Sequence, residues 1–198
     1  MSHSIPDRFE PPTGTGTGRV ALVVPGAGYT PARPLLHYAR AVLLQHGWTV
    51  RELWWQLPDG IRELTADEQV AWAEEQVARA VDAEDGGCGL VVGKSLASLT
   101  TGLVADRGIP AVWLTPLLHL PLVSRNLARA TAPTLLVGGT GDGSWVPRAA
   151  RELPHDILEL PLADHGLEVP GDALASVRLL GEVVGELGRF AGKLAQVP

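Results

Sequence analysis

The chain contains a single cysteine, Cys88, among its 198 residues. One cysteine excludes an internal disulfide and a cysteine-based zinc site. We expect no metal and no other cofactor. The near absence of cysteine is also compatible with a reducing compartment, and we expect a cytoplasmic protein.

Long hydrophobic runs and clusters of like charge are also missing. No apolar run reaches the roughly 18 residues that a membrane span requires. The N-terminus lacks a charged segment followed by an apolar one, so no secretory signal is visible. The formal net charge is −6, with acidic and basic residues mixed along the chain. We therefore expect neither a membrane partner nor a nucleic-acid partner.

The composition does support a folded core, since 45% of the residues are hydrophobic. The exception is residues 1–18, where Pro11-Pro12 and an alternating Thr-Gly run bury little apolar surface. We predict a flexible leader over 1–18 and one domain over 19–198. The sequence leaves the oligomeric state open.

Within that domain, short apolar runs alternate with segments of helical periodicity. Strands are predicted near 19–25, 48–55, 89–92, 110–114, 133–137 and 157–160. The helix after the second strand begins with the capping box Thr65–Glu68 and runs to about Glu84. Such alternation predicts an α/β fold with a parallel sheet and helices on both faces. Ligands of these sheets bind at the carboxyl ends of the strands.

The third strand ends in the sharp turn Gly93-Lys94-Ser95 and leads directly into a helix. A serine between a strand and a helix, with small residues two before and two after it, is typical of a nucleophile elbow. Gly93 and Ala97 are those small residues. We expect Ser95 to be a nucleophile and Lys94 to be exposed.

Two further residues follow strands at the same end of the sheet: Asp142 after the fifth strand and His165 after the sixth. A serine needs an imidazole to accept its proton, and the imidazole needs a carboxylate to orient it. The sequence therefore predicts a catalytic set of Ser95, His165 and Asp142. Asp142 has an alternative role as a turn residue between glycines. Asp164 is a rival acid, although its position beside His165 favours a role in the loop.

Two segments of the sequence are similar to phosphate-binding motifs. Gly93-Lys94-Ser95 matches the end of a Walker A loop, but Cys88 stands where that loop needs glycine. The turn Gly26-Ala27-Gly28 follows the first strand and could open a dinucleotide fold, but Pro31 occupies its third small position. A nucleotide-binding domain would also leave the catalytic set unexplained.

These residues together resemble the α/β-hydrolase superfamily, in particular its small, lid-less, dienelactone-hydrolase-like branch. The resemblance covers about residues 19–195. It rests on four segments: Pro25–Gly28, Gly93–Ala97, Pro133–Asp142 and Ala163–Gly166. It implies a truncated six-stranded sheet of order 2-1-3-4-5-6 without a cap domain. Ala97 and Pro25 stand where many members have glycine and histidine.

The resemblance also implies an oxyanion hole formed by the backbone N–H groups of Leu96 and Ala27, with Gly28 as the alternative to Ala27. The substrate pocket is expected to include Gly28, Tyr29, Trp55, His119 and Trp145. The implied activity is hydrolysis of an ester, thioester or related acyl bond of a small molecule through an acyl-enzyme. The alternative is a non-catalytic binding or scaffold protein with the same fold.

Overall fold

Six short segments of the chain lie side by side as parallel strands. The structure, a computed structural model, describes residues 8–9, 18–61, 63–84 and 86–196. The strands are β1 (Val20–Val24), β2 (Thr49–Trp54), β3 (Cys88–Lys94), β4 (Ala111–Leu114), β5 (Thr134–Gly139) and β6 (Asp156–Leu160). Their order across the sheet is β2-β1-β3-β4-β5-β6, which confirms the predicted order 2-1-3-4-5-6.

Alternate residues of the central strands face opposite sides of the sheet, and helices cover both. The helices are α1 (Pro34–Gln45), α2 (Ala66–Asp82), α3 (Thr101–Asp106), α4 (Pro121–Arg129), α5 (Pro147–Glu152) and α6 (Ala173–Ala195). On one face Ala21 and Val23 belong to the core that includes α1 and α6. On the other face Leu22 and Val24 pack with α2 to α5. Because both faces of the central strands are buried, these strands are largely apolar.

The helix termini follow the signals in the sequence. Thr65 Oγ1 accepts a hydrogen bond from the Glu68 N–H, and Glu68 Oε2 accepts one from the Thr65 N–H, so the predicted capping box is formed. Its helix ends at Asp82, close to the predicted end. Pro34 and Pro121 occupy the first turns of α1 and α4, where the missing N–H costs nothing.

The helix after β3 differs from the regular α-helix that its spacing suggests. Residues Ser95–Thr100 form a 3₁₀-helix, and α3 continues from Thr101. All five residues after Ser95 in this segment are buried. A 3₁₀-helix completes a turn in three residues, so the chain leaves the strand end within few residues.

A two-residue strand, Arg8–Phe9, pairs antiparallel with β2 at the edge of the sheet. The other residues of the predicted leader, apart from Gly18, lie outside the described part of the chain. Among the described residues, no helix has both the length and the apolar character needed to cross a membrane.

Candidate active site

Ser95 stands at the sharp turn between β3 and the 3₁₀-helix with a φ of 52°. This left-handed conformation is strained for a residue with a side chain. Two side chains, those of Trp113 and Ala97, lie close to the backbone of Gly93 at this turn. A Cβ on Gly93 would lie 2.6 Å from Cζ3 of Trp113 and 3.0 Å from Cβ of Ala97. Ala97 therefore fits in the elbow because Gly93 has no side chain, which accounts for the departure from glycine at position 97.

The loop that carries His165 packs directly on the turn that carries Asp142. A Cβ on Gly139 would lie 2.1 Å from the carbonyl oxygen of Ala163. The Gly141 N–H donates to that same oxygen at 2.9 Å. Only glycine at position 139 allows this contact, and the contact brings the two loops together.

Ser95, His165 and Asp142 are joined by hydrogen bonds. His165 Nε2 lies 2.7 Å from Ser95 Oγ, and His165 Nδ1 lies 2.8 Å from Asp142 Oδ2. A carboxylate accepts only, so Nδ1 carries the proton and Nε2 is free to accept from the serine hydroxyl. The Asp142 side chain is 2% exposed, whereas that of His165 is 43% exposed. This geometry allows the ring to remove a proton from Ser95.

The two proposed roles of Asp142 occur together, one on each carboxylate oxygen. Oδ1 accepts from the Ser144 N–H at 2.8 Å and closes the turn, while Oδ2 faces His165. Burial raises the pKa of Asp142, but the hydrogen bonds from His165 and Ser144 outweigh it, and the net pKa lies below the ordinary value of 3.8. Asp142 is therefore a carboxylate at neutral pH.

The rival acid, Asp164, is used within its own loop. Its Oδ1 accepts from the N–H groups of Gly166 at 2.7 Å and Glu168 at 3.1 Å. No hydrogen bond joins Asp164 to His165 in the part of the chain that the structure describes. Its position favours a loop-forming role.

An open cavity of about 270 Å³ lies over Ser95 and His165. Gly26, Ala27, Gly28 and Tyr29 form one wall, and Lys94 and Gly166 complete it. The Leu96 N–H belongs to the first turn of the 3₁₀-helix, where N–H groups have no acceptor within the helix. The candidate oxyanion donors Ala27 and Gly28 therefore border the same space as Ser95, and Leu96 follows Ser95 directly.

A second cavity of about 180 Å³ shares Gly26–Tyr29 with the first. Trp54, Trp55 and Leu57 form its apolar side. Trp55 therefore lines the neighbouring cavity, and the Gly26–Tyr29 turn lies between this cavity and the one over Ser95.

Two of the expected pocket residues lie elsewhere. Trp145 is 4% exposed, packs over Gly138 and donates its Nε1–H to Glu159 Oε2 at 2.8 Å. His119 is exposed, and its N–H donates to the Ser144 carbonyl. Neither lines either cavity at Gly26–Tyr29. Trp145 therefore contributes to packing, because the glycine at 138 leaves room for its indole against β5.

The expectation of an exposed Lys94 is wrong. The residue is 1% exposed, and its Nζ donates to Thr115 Oγ1 at 2.9 Å and to the His165 carbonyl at 2.7 Å. Burial lowers its pKa to about 8, against the attraction of Asp142 and Asp164, which raises it. The sequence signal was available: in a strand buried on both faces, the residue before the elbow also points into the protein.

The fold of the chain is similar to that of many solved structures. Est1E from Butyrivibrio proteoclasticus is similar with a TM-score of 0.67 and 11% identity, over 89% of this chain and 88% of that one. XC6422 from Xanthomonas campestris, titled an a/b serine hydrolase without lid, gives 0.63 and 15%, over 93% and 86%. The chain has the α/β-hydrolase fold. A third structure with this α/β-hydrolase fold, the Paleococcus ferrophilus monoacylglycerol lipase, gives 0.68 and 16%, over 92% and 99%.

No protein-family model matches the chain, and no curated protein matches its sequence. At identities of 11–16% the structural neighbours establish the α/β-hydrolase fold.

Proposed function

We propose that the protein is a serine hydrolase that cleaves an ester, thioester or related acyl bond of a small molecule. The observation that supports this most directly is the pair of hydrogen bonds at the His165 ring, which accepts from the Ser95 hydroxyl at 2.7 Å and donates to Asp142 at 2.8 Å. The structural neighbours include a serine hydrolase, a monoacylglycerol lipase and an esterase. The activities of these neighbours favour the same reaction class.

In the first half of the proposed reaction, Ser95 Oγ attacks the substrate carbonyl carbon while its proton passes to His165 Nε2. Asp142 stabilises the resulting imidazolium. The negative oxygen of the tetrahedral intermediate accepts from the N–H groups of Leu96 and Ala27. His165 then gives its proton to the departing alcohol or thiol, which leaves an acyl group on Ser95.

In the second half, water attacks the acyl-enzyme and gives a proton to His165. The tetrahedral intermediate collapses, the carboxylic acid leaves, and Ser95 recovers its proton from His165. Water is the only co-reactant in this scheme. The open cavity of about 270 Å³ over Ser95 favours short acyl groups, or groups that protrude from a larger molecule.

The test is a series of p-nitrophenyl esters with acyl chains of increasing length, assayed with the wild type and with Ser95→Ala. We expect the wild type to prefer short chains and the variant to lose activity by several orders of magnitude. Ser124→Ala is a matched control, because Ser124 lies on α4, and its Oγ contacts the Leu118 carbonyl.

Labelling with a fluorophosphonate probe separates the proposal from the non-catalytic alternative. We expect one label per chain on wild type and on Ser124→Ala, and none on Ser95→Ala. A well-folded wild-type protein that neither reacts with the probe nor hydrolyses the esters would favour the binding or scaffold role.

A further inference from the structure

The Lys94 ammonium is buried one residue before the proposed nucleophile, and the groups in direct contact with it are neutral. Nζ donates to Thr115 Oγ1 at 2.9 Å and to the His165 carbonyl at 2.7 Å. On a third side it lies 4.7 Å from the centre of the Tyr29 ring. The three donors of an ammonium thus face two oxygens and the face of an aromatic ring.

Such an arrangement is costly for stability. A buried charge is expensive unless a partner of opposite charge contacts it, and no carboxylate lies within salt-bridge distance of Lys94 among the described residues. The depressed pKa of Lys94 reflects that cost. A methionine would fill a similar volume without burying a charge, so packing alone does not require lysine at this position.

The loop around His165 shows what the ammonium does. Within the described residues, the hydrogen bonds of backbone groups from Asp164 to Glu168 lie inside the loop itself, with one exception. That exception is the bond from Lys94 to the His165 carbonyl. The preceding residues of the loop are tied to the turn after β5, through Ala163 and Leu162. The backbone of the proposed base is therefore held to the sheet by Lys94.

Thr115, the second acceptor of the Lys94 ammonium, is held in place by its own backbone hydrogen bond. Thr115 follows β4 with a φ of 48°, and its N–H donates to the Val137 carbonyl at 2.7 Å. Lys94 is itself the last residue of β3. One side chain thus joins the ends of two central strands to the residue that carries the imidazole.

We propose that Lys94 is a positioning residue, whose buried ammonium fixes the His165 backbone relative to Ser95 by bridging it to Thr115 under the Tyr29 ring. The inference rests on the proposed hydrolase function, which gives His165 its role as base. Asp142 and Asp164 are the acidic groups that attract the ammonium, and their attraction favours the charged form.

The main test is Lys94→Met, assayed on the ester that the wild type hydrolyses best. We expect kcat to fall about 100-fold, because a displacement of about 1 Å at a reacting group has an effect of that size. KM should change little, since Lys94 acts through His165 and not on the substrate. Lys193→Met is the matched control: Lys193 is the other lysine of the chain, lies exposed on α6, and should give wild-type kinetics.

A spectroscopic measurement distinguishes positioning from a general effect on folding. The proton between His165 Nδ1 and Asp142 is expected to give a far-downfield proton NMR signal in the wild type and in Lys193→Met. It should be broadened or lost in Lys94→Met, at a temperature where that variant remains folded. A folded Lys94→Met with wild-type kcat and an unchanged signal would overturn the proposal.

Thr115→Val provides a second test that decides the matter if Lys94→Met does not fold. It keeps the shape of the side chain and removes one acceptor of the ammonium, so we expect kcat to fall about tenfold. Wild-type kcat and an unchanged downfield signal in this variant would contradict the bridging role. If the wild type itself hydrolyses no ester, the proposed function fails, and the NMR signal still reports whether Lys94 holds His165 against Asp142.

Discussion

The indole ring of Trp113 packs on the backbone of Gly93, and a Cβ at position 93 would lie 2.6 Å from its Cζ3 atom. Trp113 is 1% exposed and belongs to β4, next to the elbow strand. The contact fixes the position of the end of β3, just before Ser95. The requirement for glycine in the elbow therefore comes from the neighbouring strand as well as from the turn itself.

The substitution Gly93→Ala should accordingly damage both stability and activity. The added methyl group must displace Trp113 or the elbow, and overpacking of this kind costs about 1–3 kcal/mol of unfolding free energy. Gly181→Ala is the control, because it lies in α6 with nothing within 4 Å of its Cβ position, and it should stabilise by about 0.5–1 kcal/mol. Urea unfolding and ester hydrolysis measure the two effects, and a neutral Gly93→Ala would show that the elbow adapts.

Asp142→Asn should separate the two roles of this side chain. The amide oxygen can still accept from the Ser144 N–H and keep the turn, but an amide cannot stabilise an imidazolium at His165. We expect kcat to fall about 10⁴-fold, as for other triads, with a much smaller effect on the melting temperature. Asp164→Asn is the comparison, since it keeps one acceptor oxygen for its loop, and its kcat should stay within about tenfold of the wild type. A larger loss in Asp164→Asn than in Asp142→Asn would reverse the assignment of the acid.

The pH dependence of stability should report the buried Lys94. Its pKa is about 8 in the folded protein and ordinarily 10.5, so between these values the unfolded chain binds more protons. Stability then rises with pH in that window. We expect the unfolding free energy of the wild type, relative to Lys94→Met, to increase from pH 7 to pH 9.5. Burial raises the pKa of Tyr29 above 10.0, so the Tyr29 phenol remains neutral there.

Urea titrations at the two pH values measure this difference, and Lys193→Met should show no such change relative to the wild type. If the difference in unfolding free energy between wild type and Lys94→Met is the same at both pH values, Lys94 keeps an ordinary pKa in the folded protein.

Two adjacent threonines provide a test of hydrogen bonding in the helix below the elbow. Both are buried, but Thr100 Oγ1 donates to the Ala97 carbonyl at 2.8 Å, whereas Thr101 Oγ1 has no partner among the described residues. Thr101→Val should therefore be neutral or stabilise by up to about 1 kcal/mol, and Thr100→Val should destabilise by about 1 kcal/mol. Thermal unfolding of the two variants checks the sign, and equal losses in both would show that the Thr101 hydroxyl finds a partner.

The sheet order was predictable because the strands are short, apolar and separated by helical segments, and the resemblance supplied the order 2-1-3-4-5-6. Asp142 and His165 could be selected as candidates because they follow β5 and β6, and ligands of parallel sheets bind at the carboxyl ends of the strands. The approach of Asp142 to His165 depends on Gly139, whose bare backbone accommodates Ala163. The sequence shows a run of glycines there but not the loop that packs against it.

Lys94, Trp145 and His119 show where sequence reasoning ends. The position of Lys94 at the end of a buried strand indicates burial, but only the three-dimensional meeting of Thr115, His165 and Tyr29 gives its ammonium partners. Trp145 follows β5 at the carboxyl end of the sheet, yet its indole packs back over Gly138. Side-chain direction after a strand is set by contacts between distant segments, which spacing along the chain does not encode.

The connection between β4 and α4 spans only residues 115–120. In this part of the described chain, no segment is long enough to fold down over Ser95. In the proposed reaction, substrate entry and product departure need no opening step, and kcat should not vary with solvent viscosity. The same openness means that the acyl group can arrive while still attached to a carrier much larger than the cavity.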